Sequence, residues 1–189
     1  MFSPDRQSSP TKIVGPAYTV KYAPLADPQP KISKPYIDTV PHGAVLFVSC
    51  PPKIPNAVYG GLMSTRAHYL GAVGSVIDGR CRDLDEHRGL GYPVFARDVG
   101  TAPPAELLKV VGVNVPVKLA HNEACPQDME IRPGDILIGD LNGVVVLPAE
   151  LAEQALELIR KGVAGDDKVM EAIRGGMSFE EATGKFRVR

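Results

Sequence analysis

Tryptophan is absent from these 189 residues, cysteine occurs three times, and neither sign of charge prevails. Each shortage narrows the field. Without tryptophan the core is expected to be mainly aliphatic, with Tyr and Phe in support. Cys50, Cys81 and Cys125 are widely spaced and form neither a CxxC pair nor a zinc-like cluster. An odd number of cysteines suits a reducing compartment. The 21 basic and 22 acidic side chains give a net charge of -1. That balance argues against a nucleic-acid binder that neutralises phosphates, and against a polybasic membrane-surface protein. No stretch approaches the roughly 18 apolar residues of a membrane helix. The opening residues, MFSPDR, lack the apolar core of a signal peptide. A cytoplasmic protein is expected. Also missing are a GxxxxGK[ST] phosphate loop, a GxGxxG turn after a strand, HExxH and GxSxG.

Glycine and proline are plentiful, at 19 and 18 residues. Together they exceed the average share of roughly 12% without any period, so a domain with many turns and short strands is expected. One domain over residues 1–189 is the default at this length, and it would bury roughly 70% of its unfolded surface. Residues 1–11 are polar and expected to fray. Residues 12–22 read as a strand, with Pro16 at an edge or bulge. Residues 32–40 suggest a short helix, and 43–49 (GAVLFVS) a buried strand. Residues 57–70 look helical, with Leu62, Arg66, Ala67 and Leu70 on one stripe and Gly71 as the stop. A strand at 73–77 is expected to end in an Asp78-Gly79 turn. A short helix follows at 83–87, then strands at 93–96 and 110–119. Residues 131–147 form the clearest β unit, with Asn142-Gly143 as a hairpin signal. A helix should begin at Pro148-Ala149-Glu150 and break near Gly162–Gly165, with a further helix over 168–174. Ser178 and Glu181 spell a capping box for the last helix. The class is α/β, without a regular βαβ alternation.

The stretch YGGLMSTRAHYLGAVGSVIDGRCRDLDEH, residues 59–87, carries the chemistry. Gly60, Gly61, Leu62 and Met63 stand at a predicted helix start, where free backbone N–H groups and the positive helix end attract an anion. Arg82 offers a forked donor for a carboxylate or keto oxygen. Asp83 offers hard oxygen ligands for Mg²⁺ or Mn²⁺. The blander reading of Arg82-Asp83 is a surface ion pair worth little.

The combination G-x-V-x-D-G-x-x-R-D with P-G-D-x-x-x-G-D-x-x-G-V-V-V, set within about residues 13–181, resembles the RraA-like family. That family includes 4-hydroxy-4-methyl-2-oxoglutarate/4-carboxy-4-hydroxy-2-oxoadipate aldolases and regulators of ribonuclease E activity. The resemblance implies an RraA-like swivelling β/β/α domain, assembled as a homotrimer or dimer of trimers with sites between subunits. It implies a divalent metal, Mg²⁺ or Mn²⁺, beside Asp83. Arg82 would hold the pyruvoyl oxygens, and the amides of the loop over Gly60, Gly61, Leu62 and Met63 would bind the carboxylate. An acid would come from the neighbouring subunit's C-terminal helices, with Asp166, Asp167 and Glu171 as candidates. The implied reaction is cleavage of a small 2-keto dicarboxylic acid through a pyruvate enolate, by retro-aldol or by oxaloacetate decarboxylation. The alternative is a non-catalytic interaction protein of the same fold, like the ribonuclease regulators. A methyltransferase has no support, since no Gly-rich nucleoside-binding motif is present. Two features depart from the family: Gly61 stands where the aldolases often carry an acid or amide, and the usual N-terminal helical segment is short or missing.

Other residues have plainer expectations. Asp78, Asp135, Asp140 and Asn142 should set turns. Arg66 and His68 should lie on a helix face. His87 and Arg88 are candidates for the pocket mouth, and nothing marks Cys81 as a nucleophile.

Overall fold

Successive residues of the central strands face two different cores. Leu46 and Val48 belong to one apolar cluster, with Ile77, Val94 and Ala96. Val45 and Phe47 belong to the other, with Val76 and Phe95. This is the period-two geometry of a sheet covered on both sides, and it explains the nearly continuous apolar run at 43–49. The computed structural model describes residues 11–119 and 129–187. The chain divides into two compact units, Met1–Pro148 and Ala149–Arg189. Cys125 lies outside the described residues.

The first unit runs β1 (Ile13–Pro24), β2 (Val45–Ser49), β3 (Ala57–Tyr59), α1 (Gly61–Tyr69), β4 (Gly74–Cys81), α2 (Leu84–Leu90) and β5 (Val94–Val99). It continues with β6 (Leu108–Val113), β7 (Val117–Lys118), β8 (Glu130–Ile131), β9 (Ile136–Asp140) and β10 (Gly143–Leu147). β1 pairs parallel with β2, β2 with β4, and β4 with both β3 and β5. The sequence showed no regular βαβ pattern, yet β2, β4 and β5 are joined through α1 and α2 as parallel crossovers. β1 ties the sheet to the hairpin: residues 13–16 pair with β9, and residues 17–21 pair with β2. Pro16 therefore stands where β1 passes from one partner to the other. The bulge lies further on, between Lys21 and Tyr22 opposite β6. The hairpin of β9 and β10 closes Asp140 on Gly143, as Asn142-Gly143 announced.

In the first unit, four expectations need correction. Residues 57–59 form strand β3 rather than the start of a helix. The buried face of α1 is Gly61, Ser64 and Ala67, whereas Leu62 is 84% exposed. Small side chains let this helix lie close to the sheet, so the larger apolar residues did not mark the inner face. Asp78-Gly79 is no turn: β4 runs through it to Cys81, with Asp78 fully buried. A Cβ on Gly79 would meet the Cβ of Cys50 at 2.9 Å, so glycine here permits close packing. The strand predicted over 110–119 is broken where Asn114 adopts a positive φ, leaving β6 and β7.

The second unit holds α3 (Ala152–Arg174) and α4 (Phe179–Phe186). The helix does not break near Gly162–Gly165; α3 is continuous for 23 residues. Glycine in a helix interior costs about 1 kcal/mol relative to alanine, which weakens a helix without ending it. Ser178 caps α4 as the capping box required, accepting from the Glu181 N–H. Among the described residues, no helix is long and apolar enough to cross a membrane.

Candidate functional site

The end of β4 delivers Arg82 and Asp83 beside the start of α1. Short strand β3 makes this possible. It pairs with β4 at Ala57 and Tyr59, and Tyr59 O accepts the Arg82 N–H at 3.0 Å. Gly60 and Gly61 follow directly, so the first turn of α1 is laid against the two charged residues. Gly60 supplies no side-chain cap. The carboxylate of Asp83 fills that role across space, accepting the Gly61 N–H at 2.9 Å. An acid at a helix N-terminus is stabilised by the unpaired amides and the helix dipole.

Asp83 holds φ 63° and ψ 45°, a left-handed conformation that, glycine aside, asparagine and aspartate adopt more readily than most residues. It is also the residue from which α2 begins. Strain of this kind costs on the order of 1–3 kcal/mol and persists where the surroundings over-determine it. Here the surroundings are the strand end, the new helix and the bond to Gly61.

The Arg82 guanidinium is anchored through Nη1 to the Ala57 carbonyl at 3.0 Å, while Nε stands 3.5 Å from Asp83 Oδ2. Both side chains keep about a third of their surface in solvent, 31% and 35%. A Cβ on Gly60 would sit 2.5 Å from Asp83 Oδ2 and 3.0 Å from Arg82 Nε. The absence of a side chain at 60 is therefore what allows the couple to close on the helix start.

Beneath the couple lies a packed polar floor. Ser75 Oγ donates to Tyr59 OH at 2.9 Å and meets Tyr92 OH at 3.0 Å, and Ser64 Oγ donates to Tyr59 OH at 3.3 Å. Burial pushes the Tyr59 phenol up to about 12. His87 is buried against the Tyr59 ring, with centroids 5.9 Å apart. Its ring nitrogens are buried without a well-formed hydrogen bond. Burial pushes its pKa below the usual imidazole value, partly opposed by the Arg82 backbone and by Asp83 and Glu86. His87 was a candidate for the pocket mouth and is instead part of this floor, while Arg88 is exposed and paired with Asp85 at 3.3 Å. Neither described cysteine is a nucleophile. Burial first, and a neighbouring aspartate second, push Cys50 up to about 12, and burial pushes Cys81 up to about 11.

The structure thus brings together Gly60, Gly61, Arg82 and Asp83. The amides of the predicted loop are partly spoken for. Gly61 N–H goes to Asp83, and Met63 N–H goes to Gly60 O at 3.0 Å. Asp166, Asp167 and Glu171 all lie exposed on α3 in the second unit, with Asp166 paired to Arg187 at 3.3 Å. Glu86 is the residue that sequence reasoning passed over. It stands one turn into α2 from Asp83, and its carboxylate lies over Gly61. The i, i+3 spacing from Asp83 was the available signal.

Among the described residues, no three His, Cys, Asp or Glu come together as a cage for a metal. The donor at hand is the accessible carboxylate of Asp83. An oxygen donor of this kind fits a hard cation that is bound through one or two carboxylates and retains several waters, as Mg²⁺ does.

Fold and site together define a mixed α/β protein with an open Arg–Asp couple at the end of a parallel strand, set against a helix N-terminus. The family described as RraA-like, Aldolase/RraA, matches residues 2–146. The chain belongs to the RraA-like family. It is 31% identical over 163 residues to the Halalkalibacterium halodurans protein named "Putative 4-hydroxy-4-methyl-2-oxoglutarate aldolase", covering 86% of this chain and 72% of that one. It is 31% identical over 179 residues to Protein DlpA of Legionella pneumophila, covering 90% of this chain but only 27% of DlpA. Among solved structures, a protein of Pseudomonas syringae pv. tomato superposes with a TM-score of 0.80 at 30% identity, covering 96% of this chain and 81% of that one. Streptomyces coelicolor RraAS2 superposes at 0.68 with 22% identity, covering 92% and 79%, a likeness of fold alone.

Proposed function

We propose that the protein is a divalent-metal-dependent lyase that cleaves a carbon–carbon bond of a small 2-keto dicarboxylic acid through the enolate of pyruvate. The observation that carries this reading is the left-handed Asp83, held beside Arg82 and bonded to the first amide of α1. The name of the Halalkalibacterium relative supports the same chemistry. Asp83 would hold Mg²⁺ or Mn²⁺, which supplies a Lewis acid for the keto and carboxylate oxygens of the substrate.

The chain's own residues have definite tasks. Arg82 is fixed at Nη1 by Ala57 O, so its remaining N–H groups are pre-aimed at the substrate oxygens. As the bond parts, electrons pass to the keto oxygen, and a fixed cation stabilises that charge without reorganising. The glycines at 60 and 61 leave room for the side chains of Arg82, Asp83 and Glu86 against the first turn of α1. The same enolate forms in retro-aldol cleavage of a 4-hydroxy-2-oxo diacid and in oxaloacetate decarboxylation, so one site suits both. A homotrimeric assembly, with an acid from α3 of a second copy, belongs to this proposal. Leu156, Ile159, Val163 and Met170 on α3 are exposed and favour burial against another surface.

The test is pyruvate release from oxaloacetate and from 4-hydroxy-4-methyl-2-oxoglutarate, with and without Mg²⁺. Metal-dependent turnover that disappears in Asp83→Ala is expected. No turnover with either acid would leave the non-catalytic, ribonuclease-regulator-like reading in its place.

A further inference from the structure

Gly61 is hemmed in by a carboxylate from another helix. A Cβ built on it would overlap the carboxylate of Glu86, and would stand only 2.9 Å from the Glu86 Cβ. The Gly61 N–H is at the same time 2.9 Å from Asp83 Oδ2. Two acids therefore meet one residue, Asp83 at its amide and Glu86 over its Cα. Both come from one turn of chain, since the Glu86 N–H bonds the Asp83 carbonyl at 3.1 Å.

Cleavage of a 4-hydroxy-2-oxo acid needs a group that removes the proton of the 4-hydroxyl and later returns one to carbon 3. The neighbours of Arg82 and Asp83 differ in fitness for this. The Arg82 guanidinium carries donors only and has no acceptor to offer. Asp83 is engaged by Gly61 and Arg82. His87 is 3% exposed, beneath the surface. Tyr59 is fully buried and its hydroxyl is taken by two serines. Glu86 is exposed, and among the described residues no hydrogen-bond donor or cation is paired with its carboxylate.

We propose that Glu86 is the proton-carrying residue of the retro-aldol reaction, and that glycine at 61 is the vacancy that lets it reach the site. This rests on the lyase reading above. In the step, Glu86 takes the hydroxyl proton from carbon 4 and a carbonyl forms there. The C3–C4 bond breaks, and its electron pair becomes the enolate of the departing pyruvate. The proton on Glu86 then passes to carbon 3 and restores the carboxylate. Oxaloacetate has no 4-hydroxyl proton to lose, so its decarboxylation calls on Glu86 less.

Variants at positions 61 and 86, with two readouts, test this in the full chain. Glu86→Gln is expected to lower the retro-aldol kcat by about 10²-fold or more, the usual worth of a positioned acid–base group, with KM within about twofold. Oxaloacetate decarboxylation should fall much less. Glu86→Asp, which keeps a carboxylate on the same helix one carbon shorter, should retain more retro-aldol activity than Glu86→Gln. The second readout needs no catalysis. Gly61→Ala should lower the melting temperature of the natural chain by about 2–4 °C, because the new methyl meets Glu86. In a Glu86→Gly background, which removes the Cβ at 86 as well as the carboxylate, the same change should be neutral or stabilising, as Gly to Ala in a helix normally is. Turnover by the natural chain with an unaltered Glu86→Gln variant would overturn the role of Glu86 alone. Equal losses in both reactions, or a Glu86→Asp variant no more active than Glu86→Gln, would overturn it too. An inactive natural chain would overturn the lyase reading and this proposal with it.

Discussion

Two of the arginine–aspartate couples around the end of β4 are built for different ends. Asp78 is fully buried within the strand and is paired with Arg97 of β5, whose side chain is 28% exposed. Arg82 and Asp83, past the end of the same strand, are 31% and 35% exposed, with Nε and Oδ2 3.5 Å apart. The first couple neutralises a charge that the sheet has enclosed. The second is loosely paired, strained at Asp83, and aimed by backbone groups on either side. Identical side-chain chemistry thus becomes a structural clamp or a candidate reaction centre according to burial and to what else holds each partner. Breaking a buried pair strands a charge, whereas an exposed pair contributes little to folding.

That contrast can be broken by paired substitutions. Arg97→Met removes the guanidinium that pairs with the enclosed Asp78 and should cost up to about 3–5 kcal/mol of stability, read by urea denaturation. Pyruvate release per folded molecule should survive it. Arg82→Met should do the reverse. It should lower kcat/KM by about 10²–10³-fold, as loss of one transition-state donor does, while stability changes by under about 1 kcal/mol. If Arg82→Met unfolded the protein and Arg97→Met silenced it, the assignment of the two couples would be inverted.

A smaller effect sharpens the comparison from below, at the floor of the open couple. The His87 pKa is lowered by burial, so the unfolded chain binds a proton more readily than the folded one. Stability from this group is complete above the unfolded value of about 6.5 and is lost as pH falls from there through the lowered folded value. The slope should be at most about 1.4 kcal/mol per pH unit between pH 6.5 and 5.5. His87→Phe should flatten it, which chemical denaturation at several pH values would measure.

Much of this was legible in the sequence, for identifiable reasons. The capping box at Ser178 and Glu181, the Asn142-Gly143 hairpin and the buried run of β2 are local signals that no distant contact had to complete. Arg82 and Asp83 stood out because adjacent opposite charges followed an apolar strand. What escaped depends on partners distant in the chain. Asp78-Gly79 reads as a turn until Arg97 arrives to neutralise the aspartate and Cys50 to crowd the glycine. Strand β3 is three residues long and owes its form to pairing with β4. Glu86 could be placed over Gly61 only once α1 and α2 were set against each other.

In the proposed site Arg82 and Asp83 grip a chelated 2-oxo acid together with a divalent cation. Its most direct test is a Mn²⁺ titration followed by electron paramagnetic resonance, with and without oxalate, a stable mimic of the pyruvate enolate. In the natural chain oxalate should tighten Mn²⁺ binding at least about tenfold, and Mn²⁺ should tighten oxalate binding equally. Asp83→Asn should abolish the coupling. Mn²⁺ binding that is unaffected by oxalate, or that is identical in Asp83→Asn, would rule out a shared metal and oxo-acid site at this couple.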